Sequence, residues 1–282
     1  MSATQPAAVR TVRRIQPSRG LIGVDVPELW SFRELLLHLI SRDVKARYKQ
    51  TFLGAFWAIF RPFISMVIMS VIFGHLAGIT SGSSAPYPLF LYSGVLLWTY
   101  FASSISGGGS SMLGASGLIS KSYFPRLFVP FASVATPLVD FALSFVVLIG
   151  LYAWYRFAPP WQILTMPFFV ALTLLIGFGI TLWLAPITVR YRDIPFALPF
   201  LLQLWMYATP IIYPVTLVSP QWRWVLSLNP MTGAVEGFRW ALLGGAPPGY
   251  GAVGASVLIA AGLVTTGLFY FRRAERTLVD LI

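Results

Sequence analysis

The stretch Ile163–Val189 reads ILTMPFFVALTLLIGFGITLWLAPITV and contains no charged residue. A helix needs about 20 mainly apolar residues to cross the hydrocarbon core of a bilayer, and this stretch is longer than that. Inside a bilayer every backbone N–H and C=O must find a partner within the protein, which an α-helix provides by itself. The stretch therefore predicts a transmembrane helix, and its extra length predicts that the helix is tilted or bent.

Five more apolar stretches lie on either side of this one. The six predicted spans are Phe52–Ala77, Pro88–Ser106, Leu127–Tyr155, Ile163–Val189, Pro195–Tyr213 and Gly251–Phe271. Of the 282 residues, 57% are hydrophobic and 10% are charged, whereas soluble domains carry about 25% charged residues. We predict an all-α integral membrane protein, with a cytoplasmic N-terminal segment (residues 1–50) and a transmembrane domain (residues 51–282).

The distribution of positive charge predicts the orientation of the chain. If the N-terminus is cytoplasmic, six spans leave only Arg156, Arg223 and Arg239 of the 20 Lys and Arg residues on the outer side. Cytoplasmic loops of membrane proteins carry such an excess of Lys and Arg. We therefore expect both termini in the cytoplasm. The net charge of +11 does not indicate nucleic-acid binding, because these charges are not gathered on one soluble module.

An amphipathic helix is predicted before the first span. Ser31 and Glu34 have the spacing of a capping box at its start. Apolar residues then recur every three or four positions, at Phe32, Leu36, Leu39, Ile40, Val44 and Tyr48. This pattern is typical of a helix that lies in the membrane interface with its basic face toward anionic headgroups.

A second unusual segment, Trp222–Leu243, lies between the last two spans on the predicted outer side. The pair Asn229-Pro230 divides it into two pieces, each too short to cross a bilayer. We expect a re-entrant helical hairpin, which requires burial in protein or a position along a cavity. Glu236 and Arg239 stand three residues apart and share a helix face. They are interpreted as an internal ion pair of the hairpin or as lining of an outer exit.

No catalytic motif is present in the sequence. It lacks the G-x-x-x-x-G-K-[ST] phosphate loop, H-E-x-x-H and G-x-S-x-G, so we expect neither ATP hydrolysis by this chain nor another enzyme activity. With two histidines and no cysteine, a transition-metal site is not expected. A transporter or channel subunit without a cofactor of its own is favoured.

Several short stretches carry a resemblance to a known family. They are RDVKARYKQTFLG (Arg42–Gly54), YFPR (Tyr123–Arg126), YRD (Tyr191–Asp193) and LNPMT (Leu228–Thr232) with Phe238-Arg239. With these stretches the chain resembles the membrane permease subunit of type-2 ABC exporters of bacterial surface polysaccharide, from about Glu34 to the C-terminus. The permeases for O-antigen, capsule and teichoic acid look much alike, so the resemblance does not choose among these cargoes.

The resemblance implies a partner, a cargo and a location. The chain is expected to form a homodimer with two separate ATP-binding-cassette ATPase subunits, which bind the ATP and Mg. The cargo is expected to be a polysaccharide on a lipid carrier of the undecaprenyl pyrophosphate type, exported across the bacterial cytoplasmic (inner) membrane. Alternatives are an exporter of a small lipid or drug in the same family, or a flippase or glycosyltransferase without ATP coupling. A glycosyltransferase is the weaker choice, because no paired acidic residues occur in a loop.

Three sets of residues are candidates for function. The first set would couple the chain to the ATPase: Lys121, Tyr123, Phe124 and Arg126. The alternative is that their loop only sets the topology. The second set would form a cytoplasmic gate that holds a pyrophosphate: Arg42, Lys45, Arg47 and Lys49. The alternative is that their helix only anchors the protein. The third set would line a sugar-conducting channel: Tyr92, Trp98, Tyr100, Tyr207 and Tyr213. The alternative is that they face lipid or the core, as most aromatic residues of the chain are expected to do.

Two charged residues within the spans need an explanation. Asp140 is a costly intramembrane acid. It has no buried basic partner in the sequence, so we expect a role in helix packing or pathway lining more than in ion coupling. Arg61 follows shortly after the start of the first span and is interpreted as an arginine that extends to the interface.

Overall fold

The structure, a computed structural model, describes residues 26–49, 54–119 and 124–278. Every regular element in these ranges is helical, which confirms the all-α prediction. The helices are α1 (Val26–Ser31), α2 (Arg33–Tyr48), α3 (Gly54–Met69, continued by a π-helical segment Ser70–Leu76), α4 (Tyr87–Gly109), α5 (Ser111–Gly114), α6 (Ser116–Ile119), α7 (Phe128–Ala135), α8 (Pro137–Trp154), α9 (Met166–Arg190), α10 (Ile194–Ala208), α11 (Arg223–Ser227), α12 (Pro230–Leu243) and α13 (Tyr250–Leu278).

Five helical stretches in the described part of the chain are long and apolar enough to cross a membrane. Each overlaps one of the predicted spans: Gly54–Leu76, Tyr87–Gly109, Phe128–Trp154, Trp161–Arg190 and Tyr250–Glu275. The third of them consists of α7 and α8, and α8 begins at Pro137. A proline lacks the N–H for the helical hydrogen bond, which explains the break between α7 and α8.

The predicted span Pro195–Tyr213 is helical only over α10, which has 15 residues. At 1.5 Å per residue this is about 22 Å, shorter than the hydrocarbon core of about 30 Å. The helix stops because Thr209 is extended, at φ −99° and ψ 139°. Pro210 favours this conformation in the residue before it. The count of six spans is therefore not confirmed by helix length.

The central helix of the bundle is α4. In its most apolar stretch 78% of the residues are buried, against 17% in the first span. It packs between α8, α9 and α12, and its buried residues form the main core together with α9 and α12. The outer helices therefore leave wide apolar faces uncovered in a single chain.

Helices α9 and α13 pack closely against each other, and glycines allow their approach. A Cβ added at Gly179 lies 2.7 Å from the Leu263 Cβ, and one added at Gly267 lies 2.9 Å from the Leu182 Cβ. Small residues at a helix interface let two backbones approach closely in membranes.

The N-terminal helix packs as its pattern predicts but begins differently. Leu39 is buried against Phe128 and Ala132 of α7, so the apolar face of α2 rests on protein. The capping box is wrong, because Ser31 ends the preceding α1 and Phe32 occupies the N-cap position, with no side-chain cap. Only Phe32 lies between the short α1 and α2.

The segment after α10 forms two short helices, α11 and α12, as predicted. Asn229 caps α12, since its side-chain oxygen accepts a hydrogen bond from the Met231 N–H at 3.0 Å. Most of α12 is buried between α4, α9 and α13. Its backbone therefore has the protein surroundings that a re-entrant segment requires.

Candidate functional site

A polar cavity lies between α2, α3, α4 and α8. Its volume is about 450 Å³. Charged and hydroxyl side chains line one part of it: Arg47, Tyr48, Arg61, Thr99, Ser103, Ser106, Asp140 and Ser144. Most of these residues come from helices that were predicted as membrane spans, so the cavity brings polar groups into the apolar bundle.

Asp140 lies in this cavity and is held by two residues from the end of α2. The Arg47 guanidinium forms an ion pair with one carboxylate oxygen, and the Tyr48 hydroxyl donates a hydrogen bond to the other. Burial and the hydrogen bond to Asp140 raise the pKa of the Tyr48 hydroxyl, so this group remains a donor at neutral pH. The two contacts connect α2 to α8 across a sequence separation of more than 90 residues.

Asp140 therefore has a basic partner that the sequence analysis did not identify, although Arg47 is not a buried one. The partner lies outside the spans, on a helix that is distant in sequence, and no spacing rule joins the two. One signal was available, because Arg47 lies about 200° around the helix from Lys45 and so cannot share its face. An acid within a span also needs a polar partner.

Arg61 is a second basic group of the cavity. It is exposed on α3, and within the described ranges it pairs with no carboxylate. It lies next to Pro62, which is buried inside α3. The site therefore has one arginine paired with a carboxylate and one arginine without a carboxylate partner.

The four predicted gate residues do not come together. Arg42 is exposed and pairs with its neighbour Asp43 at 2.8 Å, and Lys45 and Lys49 are exposed. Of the four, only Arg47 is among the residues lining the polar cavity. Lys45 and Lys49 lie on the opposite side of α2. Arg42 lines a second cavity together with Asp43 and with residues of α4, α5 and α7.

The predicted coupling residues are only partly visible. Lys121 and Tyr123 lie outside the described residues. Phe124 is buried in a cluster with residues of α6, α7, α9 and α13. Arg126 donates a hydrogen bond to the Glu275 carbonyl oxygen at 3.0 Å, so it ties this loop to the end of α13. These two side chains make contacts within the chain.

The predicted channel residues divide into two groups. Tyr92, Trp98 and Tyr100 are buried within one chain; the Tyr92 hydroxyl donates to the Ser144 carbonyl at 2.7 Å. Of these three, only Tyr100 borders the polar cavity. Tyr207 is 49% exposed. The Tyr213 hydroxyl donates a hydrogen bond to the Tyr207 carbonyl oxygen at 3.4 Å. Tyr92 and Trp98 are therefore explained as packing residues of α4, and within the single chain they border no open path.

The hairpin residues Asn229 and Arg239 fasten α12 to its neighbours. Arg239 is 6% exposed and donates hydrogen bonds to the carbonyl oxygens of Phe90, Pro210 and Ile211. Its guanidinium carbon lies 3.7 Å from the centre of the Phe90 ring. The carbonyls of Pro210 and Ile211 belong to the non-helical turn after α10, where backbone oxygens lack helical partners. The Phe90 carbonyl belongs to the first turns of α4 and also accepts a hydrogen bond from the Ser93 hydroxyl.

The interpretation of Glu236 and Arg239 as an ion pair is wrong. Both residues are described, and they form no salt bridge. Arg239 points to backbone carbonyls instead, because the turn after α10 presents several acceptors that would otherwise be buried without donors. The spacing along α12 gave no signal of this, since the acceptors come from two other parts of the chain.

Asn229 makes a second connection to α10. Its side-chain oxygen accepts a hydrogen bond from the Trp205 indole at 3.0 Å, and its amide nitrogen donates to the Thr209 hydroxyl at 2.8 Å. Hydrogen bonds of Asn229 therefore connect the start of α12 with the end of α10.

Comparison with known proteins agrees with this architecture. The family model described as "ABC-2 type transporter" matches residues 34–243. The chain is 32% identical over 217 residues to the O-antigen export system permease protein RfbA of Myxococcus xanthus, covering 76% of this chain and 82% of that protein. It is 25% identical to the RfbA permease of Klebsiella pneumoniae, with 88% and 95% covered.

A more distant relative is the polysialic acid transport protein KpsM of Escherichia coli. The identity is 24% over 250 residues, covering 86% of this chain and 93% of that protein. The family match spans α2 to α12, and thus includes both the polar cavity and the hairpin. By this match and by its all-helical bundle of apolar spans, the chain belongs to the ABC-2 type transporter family of multi-pass membrane proteins.

Proposed function

We propose that this chain is the transmembrane subunit of an ATP-driven exporter that moves a lipid-linked polysaccharide across the bacterial cytoplasmic membrane. The observation that carries the proposal is the 32% identity to an O-antigen export permease, which extends over 82% of that protein. Further support comes from the polysaccharide named for a second relative, polysialic acid. The sequence has no phosphate loop, which supports a separate ATPase subunit as the one that binds ATP and Mg.

The working unit in this proposal is a homodimer with two ATPase subunits. The helix α10 supports it, because α10 exposes a row of large apolar residues in a single chain: Phe196, Phe200, Leu204 and Tyr207. Lipid or a second copy must cover such a row. Of the channel candidates, Tyr207 is exposed and Tyr213 is partly exposed in a single chain, so these two are the ones that could line a path beside α10.

The proposed topology has six spans and cytoplasmic termini. α10 and the turn after it provide the fifth of the six crossings, and the hairpin α11–α12 lies at the outer side. The charge excess on the cytoplasmic side supports this orientation. The contacts of Asn229 and Arg239 support it as well, since they give the non-helical turn after α10 the hydrogen bonds that backbone needs at membrane depth.

A reconstituted system tests the energy coupling. We expect no ATPase activity from the purified chain alone, and activity together with surface polysaccharide when the partner ATPase is co-expressed. Deletion of this gene should leave the polymer inside the cell, attached to its lipid. Normal surface polysaccharide in the deletion strain, or ATP hydrolysis by the isolated chain, would contradict the proposal.

Cysteine labelling tests the topology, because the chain has no native cysteine. Single cysteines in place of Ser83 and Ser219 should react with an impermeant thiol reagent added to intact cells. Single cysteines in place of Ser18 and Ser120 should react only after lysis. Labelling at position 120 from outside would be incompatible with six spans and cytoplasmic termini.

A further inference from the structure

The loop that leads into α7 is fastened to the end of α13. Arg126 donates a hydrogen bond to the Glu275 carbonyl oxygen at 3.0 Å, and its Nε atom lies 3.9 Å from the Glu275 carboxylate. The same carboxylate pairs with Arg272 at 3.2 Å. Phe124 belongs to one buried apolar cluster with Phe271 of α13. Polar and apolar contacts therefore hold this loop on α13.

Helices α9 and α13 form a closely packed pair, and each is long enough to cross a membrane. α13 has 29 residues, which is about 43 Å at 1.5 Å per residue, and it contains no proline. Gly179 of α9 and Gly267 of α13 lie at the contact, where a larger side chain would overlap with the facing helix. Protein interiors packed this closely transmit a displacement and do not absorb it. The pair should therefore move as one unit.

The hairpin helix α12 lies against the other end of this pair. A Cβ added at Gly233 would overlap with the Ala252 carbonyl oxygen of α13, and one added at Gly237 would overlap with the Phe169 ring of α9. The two glycines therefore let α12 approach both helices of the pair. In turn, α12 holds the turn after α10 through the hydrogen bonds of Arg239.

The helices connected directly to the loop are interrupted within a short distance. On one side, α4 ends at Gly109 and is followed by the short helices α5 and α6. On the other side, α7 has eight residues and α8 begins at Pro137. Helix ends of this kind are places where a hinge absorbs a displacement. Among the described helices, α9 and α13 are uninterrupted and share the apolar cluster of Phe124, so they offer the loop a stiffer connection.

We propose that the α9–α13 pair carries a displacement of this loop to the hairpin helix α12, and that Arg126 and Glu275 are the positioning residues that fasten the loop to the pair. The proposal rests on the proposed function, which supplies the ATPase that moves the loop. Arg126 then acts within the chain and not as a contact with the ATPase. Movement of α12 shifts the turn after α10, because Arg239 connects the two.

A single cysteine in α12 reports this movement in the complex of the permease with its ATPase in nanodiscs. The chain has no cysteine of its own. Thr232 is 1% exposed and its hydroxyl has no hydrogen-bond partner among the described residues, so Thr232→Cys should fold and should react slowly with an impermeant thiol reagent. ATP should raise this rate at least about fivefold, the lower end of typical coupling between two sites. With Arg126→Gln the increase should be lost, while the rate without ATP and the hydrolysis of ATP remain.

Charge reversal at Glu275 separates a contact within the chain from a contact with the ATPase. Glu275→Arg places a positive charge beside Arg126 and Arg272 and so breaks the same connection from the other side. It leaves Arg126 available to the ATPase, so the ATP-dependent increase should be lost in this variant as well. If Glu275→Arg does not assemble, Glu275→Gln removes only the negative charge and should reduce the increase.

The matched control is Arg273→Gln. Arg273 is exposed on the same turn of α13 and forms no salt bridge with a described residue. Its variant should respond to ATP like the wild type, because it leaves the connection between the loop and α13 intact.

Three results would overturn the proposal. The first is a normal response to ATP in Arg126→Gln. The second is a lost response in Arg126→Gln with a normal one in Glu275→Arg, which would make Arg126 a contact with the ATPase. The third is a labelling rate of Thr232→Cys that ATP does not change, which would mean that α12 stays in place. A failure of the proposed function is recognised separately, as absence of ATP hydrolysis by the unmodified complex.

Discussion

Arg239 should be a position in α12 at which substitution strongly lowers stability. Replacing it by alanine removes the donors for the carbonyls of Phe90, Pro210 and Ile211, which lie in a buried region. A hydrogen bond to a charged group contributes about 1.5–3 kcal/mol, and the three bonds are not additive because one guanidinium makes them all. We expect a loss of about 3–5 kcal/mol, the range for breaking a buried charged interaction by removing one partner.

Thermal unfolding of the purified protein in detergent measures this loss. At about 2–4 °C per kcal/mol for a chain of this size, Arg239→Ala should lower the unfolding temperature by between about 6 and 20 °C. The unfolding temperature of Arg239→Lys should lie between those of the wild type and Arg239→Ala, because a lysine amine cannot reach all three carbonyls with the geometry of a guanidinium.

The matched control is Arg223→Ala. Arg223 also donates to two backbone carbonyls, those of Val218 and Thr216, but it is exposed. Water can replace it there, so the loss should stay below about 1 kcal/mol. If Arg239→Ala unfolds at the same temperature as Arg223→Ala, the role assigned to Arg239 in holding the hairpin to α10 is refuted.

Two further predictions use the same preparation and the export assay. Gly267→Val should destabilise the protein by about 1–3 kcal/mol, because it forces α13 away from α9. Gly262→Ala, on the same helix with open space around it, should not. Equal unfolding temperatures of the two variants would contradict the close approach of α9 and α13. Tyr92→Phe should lose about 1 kcal/mol with its hydrogen bond and export normally, whereas Tyr207→Ala should keep its stability and reduce surface polysaccharide; normal export by Tyr207→Ala would remove it from the proposed path.

The sequence was sufficient for the broad architecture. Apolar stretches such as Ile163–Val189 must be helical in a bilayer, whatever they pack against, because each helix satisfies its own backbone. The break at Asn229-Pro230 was also predictable, since both the proline and the Asn cap act within a few residues. These features depend on local chemistry alone.

The length of the predicted fifth span was misjudged for a local reason as well. Hydropathy continues beyond Ala208, so the apolar run looks long enough to cross. The backbone does not follow it, because Pro210 favours an extended Thr209, and the turn that results is held by Arg239 from another helix.

The polar partners were decided only by the tertiary structure. Asp140 is paired with Arg47 across 93 positions, and Arg239 with carbonyls 28 to 149 positions away. A sequence shows that a charge within a span needs a partner, but a helix surface offers several neighbours, and which one comes near depends on how the helices cross. Composition and periodicity therefore determined that this chain is a helical membrane protein. The packing of α2, α8, α10 and α12 determined which of its charges meet, because each of those pairs forms only once separate helices are in contact.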